Sequence, residues 1–245
     1  MDDWIVWLLL LATGAIAGAL NVVAGGGSFL TLPILIFTGL PAGVANGTNR
    51  VGILLQNVAG VWGFRRHGLI ERRWVAAAAI PTMFGAILGT LIAMRVDDEA
   101  FKRILAFLMI AVTLWTLWDP IRPGATRTRV HQGVLAAGFF AAGIYAGFVQ
   151  AGVGFFLLAI TTMAGYDLVK GNAMKVFCVL ISTPLSLALF AMNGQVAWAP
   201  GLWLGVGNFL GGLLGVHLTV LKGHRWIRGV VTVTVIVMAV KLWFD

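Results

Sequence analysis

Apolar residues run in blocks of about twenty along nearly the whole chain, and charge rarely interrupts them. A helical block of that length spans a hydrocarbon core roughly 30 Å thick. Inside lipid every backbone N–H and C=O must pair within the protein, so such blocks form helices or closed barrels. The strict period-two alternation of a barrel strand is absent here. Composition agrees: 60% of the 245 residues are hydrophobic and 11% are charged, whereas a soluble domain carries roughly 25% charge. The expected class is an all-α polytopic membrane protein.

Ten apolar segments are predicted, at 4–23, 28–40, 48–64, 74–94, 101–118, 131–150, 154–166, 172–192, 200–221 and 226–244. The ten Trp residues fall near segment ends, where an amphipathic ring sits at headgroup level. The net charge of +8 does not point to nucleic acid, because the basic residues occupy short loops. Loop 65–73 holds four Arg and one Glu, loop 119–131 holds Arg122, Arg127 and Arg129, and loop 222–228 holds Lys222, Arg225 and Arg228. The positive-inside rule places these three in the cytoplasm. The mixed link 95–103 and the uncharged link 193–199 are then outside. The start Met1, Asp2, Asp3 has no basic region of a secretory signal, so the first segment is expected to stay.

The second and seventh segments have only about 13 residues, or about 20 Å of helix, too short to cross alone. Each follows a Gly-containing break. Gly18-Ala19-Leu20-Asn21 leads to Gly25-Gly26-Gly27-Ser28-Phe29-Leu30, and Gly147-Phe148-Val149-Gln150 leads to Gly152-Val153-Gly154-Phe155-Phe156-Leu157. Asn46-Gly47-Thr48-Asn49 then corresponds to Asn172-Ala173-Met174-Lys175. Two units of five segments enter the membrane from opposite sides. The expectation is two inverted repeats, at 1–118 and 131–245, joined by a cytoplasmic linker at 119–130. Paired short, Gly-interrupted segments in two halves mark a transporter's binding site. Taken singly, a membrane Gly more often serves helix packing.

An anion buried in a membrane needs donors and positive potential. Helices starting at Ser28 and near Gly154 aim free N–H groups and the positive ends of their dipoles at the breaks. Gly25, Gly26, Gly27 and Gly152 leave room for close backbone approach. Asn46, Thr48, Asn49, Asn172 and Lys175 are read as polar starts of the third and eighth segments, converging on the same cavity. Asn21 and Gln150 precede the breaks and carry carboxamides that donate and accept. Gln56 and Asn57 lie two turns along the third segment, with Ser182 and Thr183 at the matching place in the eighth. Arg50 and Lys175 either neutralise an anion or snorkel to the interface. Asn208 and His217 are polar within the ninth segment, and His217 reads as a packed hydrogen-bonding residue. All nine acidic residues lie at ends or in loops, so no carboxylate relay has material. Cys178 stands alone and the four His are scattered, so neither a metal nor another cofactor is expected.

The stretch from Asn21 to Ser28, Pro33, and Ala45-Asn46-Gly47-Thr48-Asn49 resembles the first half-motif of the sulfite exporter TauE/SafE family. Gly152 to Gly154 with Asn172 to Lys175 resembles its second, although Val153 and Phe155 interrupt a fuller Gly run and Met174 stands where Thr is common. The resemblance covers nearly the whole chain. It implies transport of sulfite or a small organosulfur anion such as a sulfonate, usually export across the bacterial inner membrane. The expected function is a secondary transporter working by alternating access. An anion channel, a carrier for another small anion, an accessory protein and a membrane enzyme are the competing readings. The last lacks a nucleophile, metal cluster or paired acids at depth. The expected partners are the small anion and membrane lipid, with a homo-oligomer left open.

Overall fold

A computed structural model describes residues 3–23, 25–70, 72–117 and 131–222. They form nine helices: α1 (Asp3–Val23), α2 (Ser28–Phe37), α3 (Ala42–Arg66), α4 (Arg72–Ala93), α5 (Asp98–Leu117), α6 (Gln132–Phe148), α7 (Val153–Met163), α8 (Leu168–Met192) and α9 (Trp198–Lys222). The linker 119–130 and the predicted tenth segment lie outside the described residues. The first nine predicted segments each coincide with a helix. Those at 4–23, 168–192 and 198–220 are long and apolar enough to cross a membrane. Large apolar side chains such as Leu8, Ile16, Phe84, Phe107 and Leu214 face outward, while Asn46, Asn49, Arg50, Asn172 and Lys175 are buried. That distribution suits a lipid surround, where polar groups must find partners inside the bundle.

The third and eighth segments start earlier than expected. α3 begins at Ala42 behind Pro41, whose fixed φ of −52° suits a helix entry. α8 begins at Leu168, where the Asp167 carboxylate accepts from the Val169 and Lys170 N–H groups, an N-cap. Asn46, Thr48, Asn49, Arg50, Asn172 and Lys175 therefore sit inside these helices, not at their polar starts.

Small residues set the helix pairing. A Cβ added at Gly14 or Gly18 of α1 would strike the backbone of α9 at Leu204 and Asn208, and one at Gly207 or Gly211 would strike α1 at Leu11 and Ala15. Gly85 and Gly89 of α4 meet Phe140 and Ile144 of α6 in the same way, and Gly143 and Gly147 meet Thr82 and Ala86. Each pair is a small-xxx-small interface that brings backbones into contact. At these positions glycine serves helix packing.

The short helices fold back on the helices before them. A side chain at Gly27 would overlap the Ala17 carbonyl, and the Ser28 N–H donates to Asn21 Oδ1 at 3.3 Å. Phe156 of α7 lies edge-on to Tyr145 of α6 at 4.9 Å, and Gly138 faces Ile160. α3 and α8 occupy the centre and run antiparallel, with Arg50 over the Phe190 ring at one level and Gly60 against Val176 at another.

Candidate functional site

The two interruptions meet. A Cβ on Gly25 would lie 2.5 Å from the Gly154 Cα, and Gly25 has a φ of 91°, a conformation glycine adopts without strain. Gly152 does likewise at 77°, and Gln150 takes a φ of 60°, uncommon for a residue with a side chain. Beside this crossing is a cavity of about 20 Å³, room for about one water. Asn21, Ser28, Gln56, Asn57, Gln150 and Lys175 supply its polar lining, and Gly25, Gly154, Ile53, Val153 and Val179 the rest. Ser28 and Val153 are the first residues of α2 and α7. The positive ends of two helix dipoles are thus directed at the cavity. Lys175 is the charged group among the lining residues, and no carboxylate accompanies it.

The carboxamides are held by one another. Asn21 Nδ2 donates to Gln56 Oε1 at 3.0 Å and to Ser28 Oγ at 3.2 Å. Gln150 Nε2 donates to Thr183 Oγ1 at 3.1 Å, while its Oε1 accepts from Arg50 Nη1 at 3.0 Å. Asn57 Nδ2 donates to the Ile53 carbonyl.

Both basic residues are buried, which excludes snorkelling. Each binds the carbonyl end of a broken helix from the other half of the chain. Arg50 of α3 donates from Nη1 to the Ala146 carbonyl at 3.0 Å and from Nη2 to the Gly147 carbonyl at 2.6 Å. Asn46 adds a bond to the Phe148 carbonyl at 2.8 Å. Lys175 of α8 donates to the Asn21 carbonyl at 2.9 Å, the Val22 carbonyl at 3.0 Å and Asn172 Oδ1 at 2.7 Å. Asn172 in turn donates to the Val23 carbonyl at 3.2 Å. The last carbonyls of a helix have no partner within it and carry its negative end. A cation and an amide satisfy them at both breaks.

The remaining expected residues are placed elsewhere. Gly26 and Gly27 form the turn before α2, and Gly152 precedes α7. Thr48 accepts from the Ala197 N–H, tying α3 to the α8–α9 link, and Asn49 accepts from Thr31. Ser182 bonds carbonyls of its own helix, and Thr183 reaches the cavity through Gln150. Asn208 is buried against Gly18 and Gly52, whereas His217 is exposed on the outside of α9 rather than packed. Ile53 and Val179 had no signal beyond their apolar runs, and Val153 stood out only as an interruption of the Gly run. A second cavity, of about 350 Å³, lies between α4, α6 and α8 against Ala78, Phe139 and Met174, and none of the described residues lining it is charged.

A "Probable membrane transporter protein" of Haemophilus influenzae is 31% identical over 97% of this chain and 94% of its own length. A "Probable membrane transporter protein ORF9" of Sinorhizobium is 30% identical over 100% and 96%. "Probable membrane transporter protein YfcA" of Escherichia coli K12 is 30% identical over 97% and 89%. These bacterial relatives and the apolar helices identify a multi-pass protein of the inner membrane. The model of the family described as "Sulfite exporter TauE/SafE" matches residues 10–242, and the chain belongs to that family of membrane transporters.

Proposed function

We propose that the protein is a secondary transporter that exports sulfite or a small sulfonate across the inner membrane, by alternating access of two inverted halves. The observation that carries this reading is the crossing of the two breaks at Gly25 and Gly154, beside a cavity with a lysine, four carboxamides and two helix starts. Such a lining offers donors and positive potential without an acid to repel an anion. A cavity of about 20 Å³ has room for about one water, too little for an oxyanion. Binding an oxyanion then requires the halves to separate, which alternating access supplies. Positive-φ glycines recur at matching places, Gly39 with Gly165 and Gly68 with Gly194. That recurrence and the antiparallel α3 and α8 support two inverted units at 1–118 and 131–245.

Counterflow tests the reading. Purified protein in proteoliposomes preloaded with unlabelled sulfite should take up labelled sulfite with saturation, and methanesulfonate should compete. Absence of counterflow together with large single-channel conductance would replace the carrier by a pore. Absence of both would leave a membrane protein without this transport activity.

A further inference from the structure

Lys175 lines the cavity and also holds the end of α1. An ammonium has three donors and no more. All three are engaged, by the Asn21 carbonyl, the Val22 carbonyl and Asn172 Oδ1, at 2.7–3.0 Å. An anion entering the cavity therefore bonds to Lys175 Nζ only by taking a hydrogen from one of these acceptors. Asn172 is on the same helix, one turn away, and moves with the lysine. The bonds at stake are those to α1. We infer that Lys175 couples anion binding to the release of the α1 carbonyl end. The inference rests on the proposed anion site.

The other break is held differently. Arg50 is not among the lining residues, and its guanidinium spreads over the Ala146 and Gly147 carbonyls, Gln150 Oε1 and the face of Phe190. An arginine has five donors in a rigid fork, so it keeps the α6 end capped whatever the cavity contains. Binding thus loosens one of the two crossing breaks and leaves the other fixed. The release needs differential interaction of the ligand with the two states, and the exchange of a carbonyl for an anion at Nζ supplies it. Loss of the carbonyl bonds also frees a negative helix end, which the departing anion restores to its cap.

Cysteine accessibility reads the two ends separately. In a Cys178→Ala background, Val23→Cys reports the α1 end and Val149→Cys the α6 end; both positions are buried. A small thiosulfonate reagent is applied with and without methanesulfonate, whose binding is measured independently by calorimetry. Labelling at position 23 should rise several-fold with the anion, and labelling at 149 should not change. Lys175→Met should label strongly at 23 without anion and show no further response. Lys175→Arg has donors enough to hold both α1 and the anion, so its response should shrink while binding persists. Bound anion without a change at 23, or an equal rise at 149, overturns the coupling. If no anion binds, the functional reading fails, and an unlabelled Val23→Cys in the Lys175→Met protein would then also refute the latch.

Discussion

Asn21 illustrates how much depends on one buried carboxamide. Its Oδ1 accepts the Ser28 N–H at the start of α2, and its Nδ2 reaches Ser28 Oγ and Gln56 Oε1. It thus ties the end of α1, the start of α2 and the middle of α3 around the cavity. Asn21→Ala leaves three partners without it, and each buried polar group left unpaired costs about 1–3 kcal/mol. Anion affinity by calorimetry should fall tenfold or more, while Asn21→Asp, which adds a negative charge beside the anion, should abolish binding altogether. Equal affinity in both variants and the parent would remove Asn21 from the site. Asn21 and Gln150 were legible as candidates because each is a polar group next to a Gly break in an apolar run, and Lys175 because it is a basic residue near the start of an apolar segment with no acid beside it. The partners of Arg50 were not legible: its acceptors lie 96 to 100 residues away, a separation that periodicity cannot bridge. Ile53 and Val179 were missed because an apolar residue facing a cavity is indistinguishable, in sequence, from one facing another helix.

Among the helices, glycine does two jobs, and their locations separate them. Gly14, Gly18, Gly207 and Gly211 let α1 and α9 touch backbone to backbone, as Gly85, Gly89, Gly143 and Gly147 do for α4 and α6. Gly25 and Gly154 instead let the turn before α2 touch the first turn of α7. Gly211→Leu and Gly143→Leu should each lower the midpoint of thermal unfolding in detergent, since overpacking costs about 1–3 kcal/mol where neighbours shift and more where backbone must move. Gly138→Ala should be near neutral, because its added Cβ would meet only Ile160 side-chain atoms at 3.5 Å. A midpoint unchanged by Gly211→Leu would show that this helix contact is not a close one. The two short elements and the paired breaks were readable from segment length and Gly position. The starts of α3 and α8 were not, because Asn46 to Arg50 and Asn172 to Lys175 break the apolar run that marked the segments. Asn46, Arg50, Asn172 and Lys175 bond the carbonyl end of a broken helix, and Pro41 and Asp167 were the truer signals of where the helices begin.

At the scale of the molecule, each half caps a broken helix of the other. α3 caps the end of α6 through Asn46 and Arg50, and α8 caps the end of α1 through Asn172 and Lys175. A rocking motion that opens one face has to pull the halves apart near one of these contacts while the opposite contact acts as the pivot. The face carrying the α8–α9 link has an additional tie, the Ala197 N–H on Thr48 Oγ1 at 2.9 Å, beside the close approach of Gly47 to the Gln195 carbonyl. On the orientation expected from the positive-inside rule this is the outer face. A disulfide formed there between cysteines in a Cys178→Ala, Thr48→Cys, Ala197→Cys protein fixes that seal without entering the cavity. Alternating access then requires that the oxidised protein lose counterflow and recover it on reduction, while anion entry to the site from the cytoplasmic side remains measurable by binding in inside-out vesicles. Undiminished counterflow in fully oxidised protein would mean that the anion leaves by a route that does not separate α3 from the α8–α9 link.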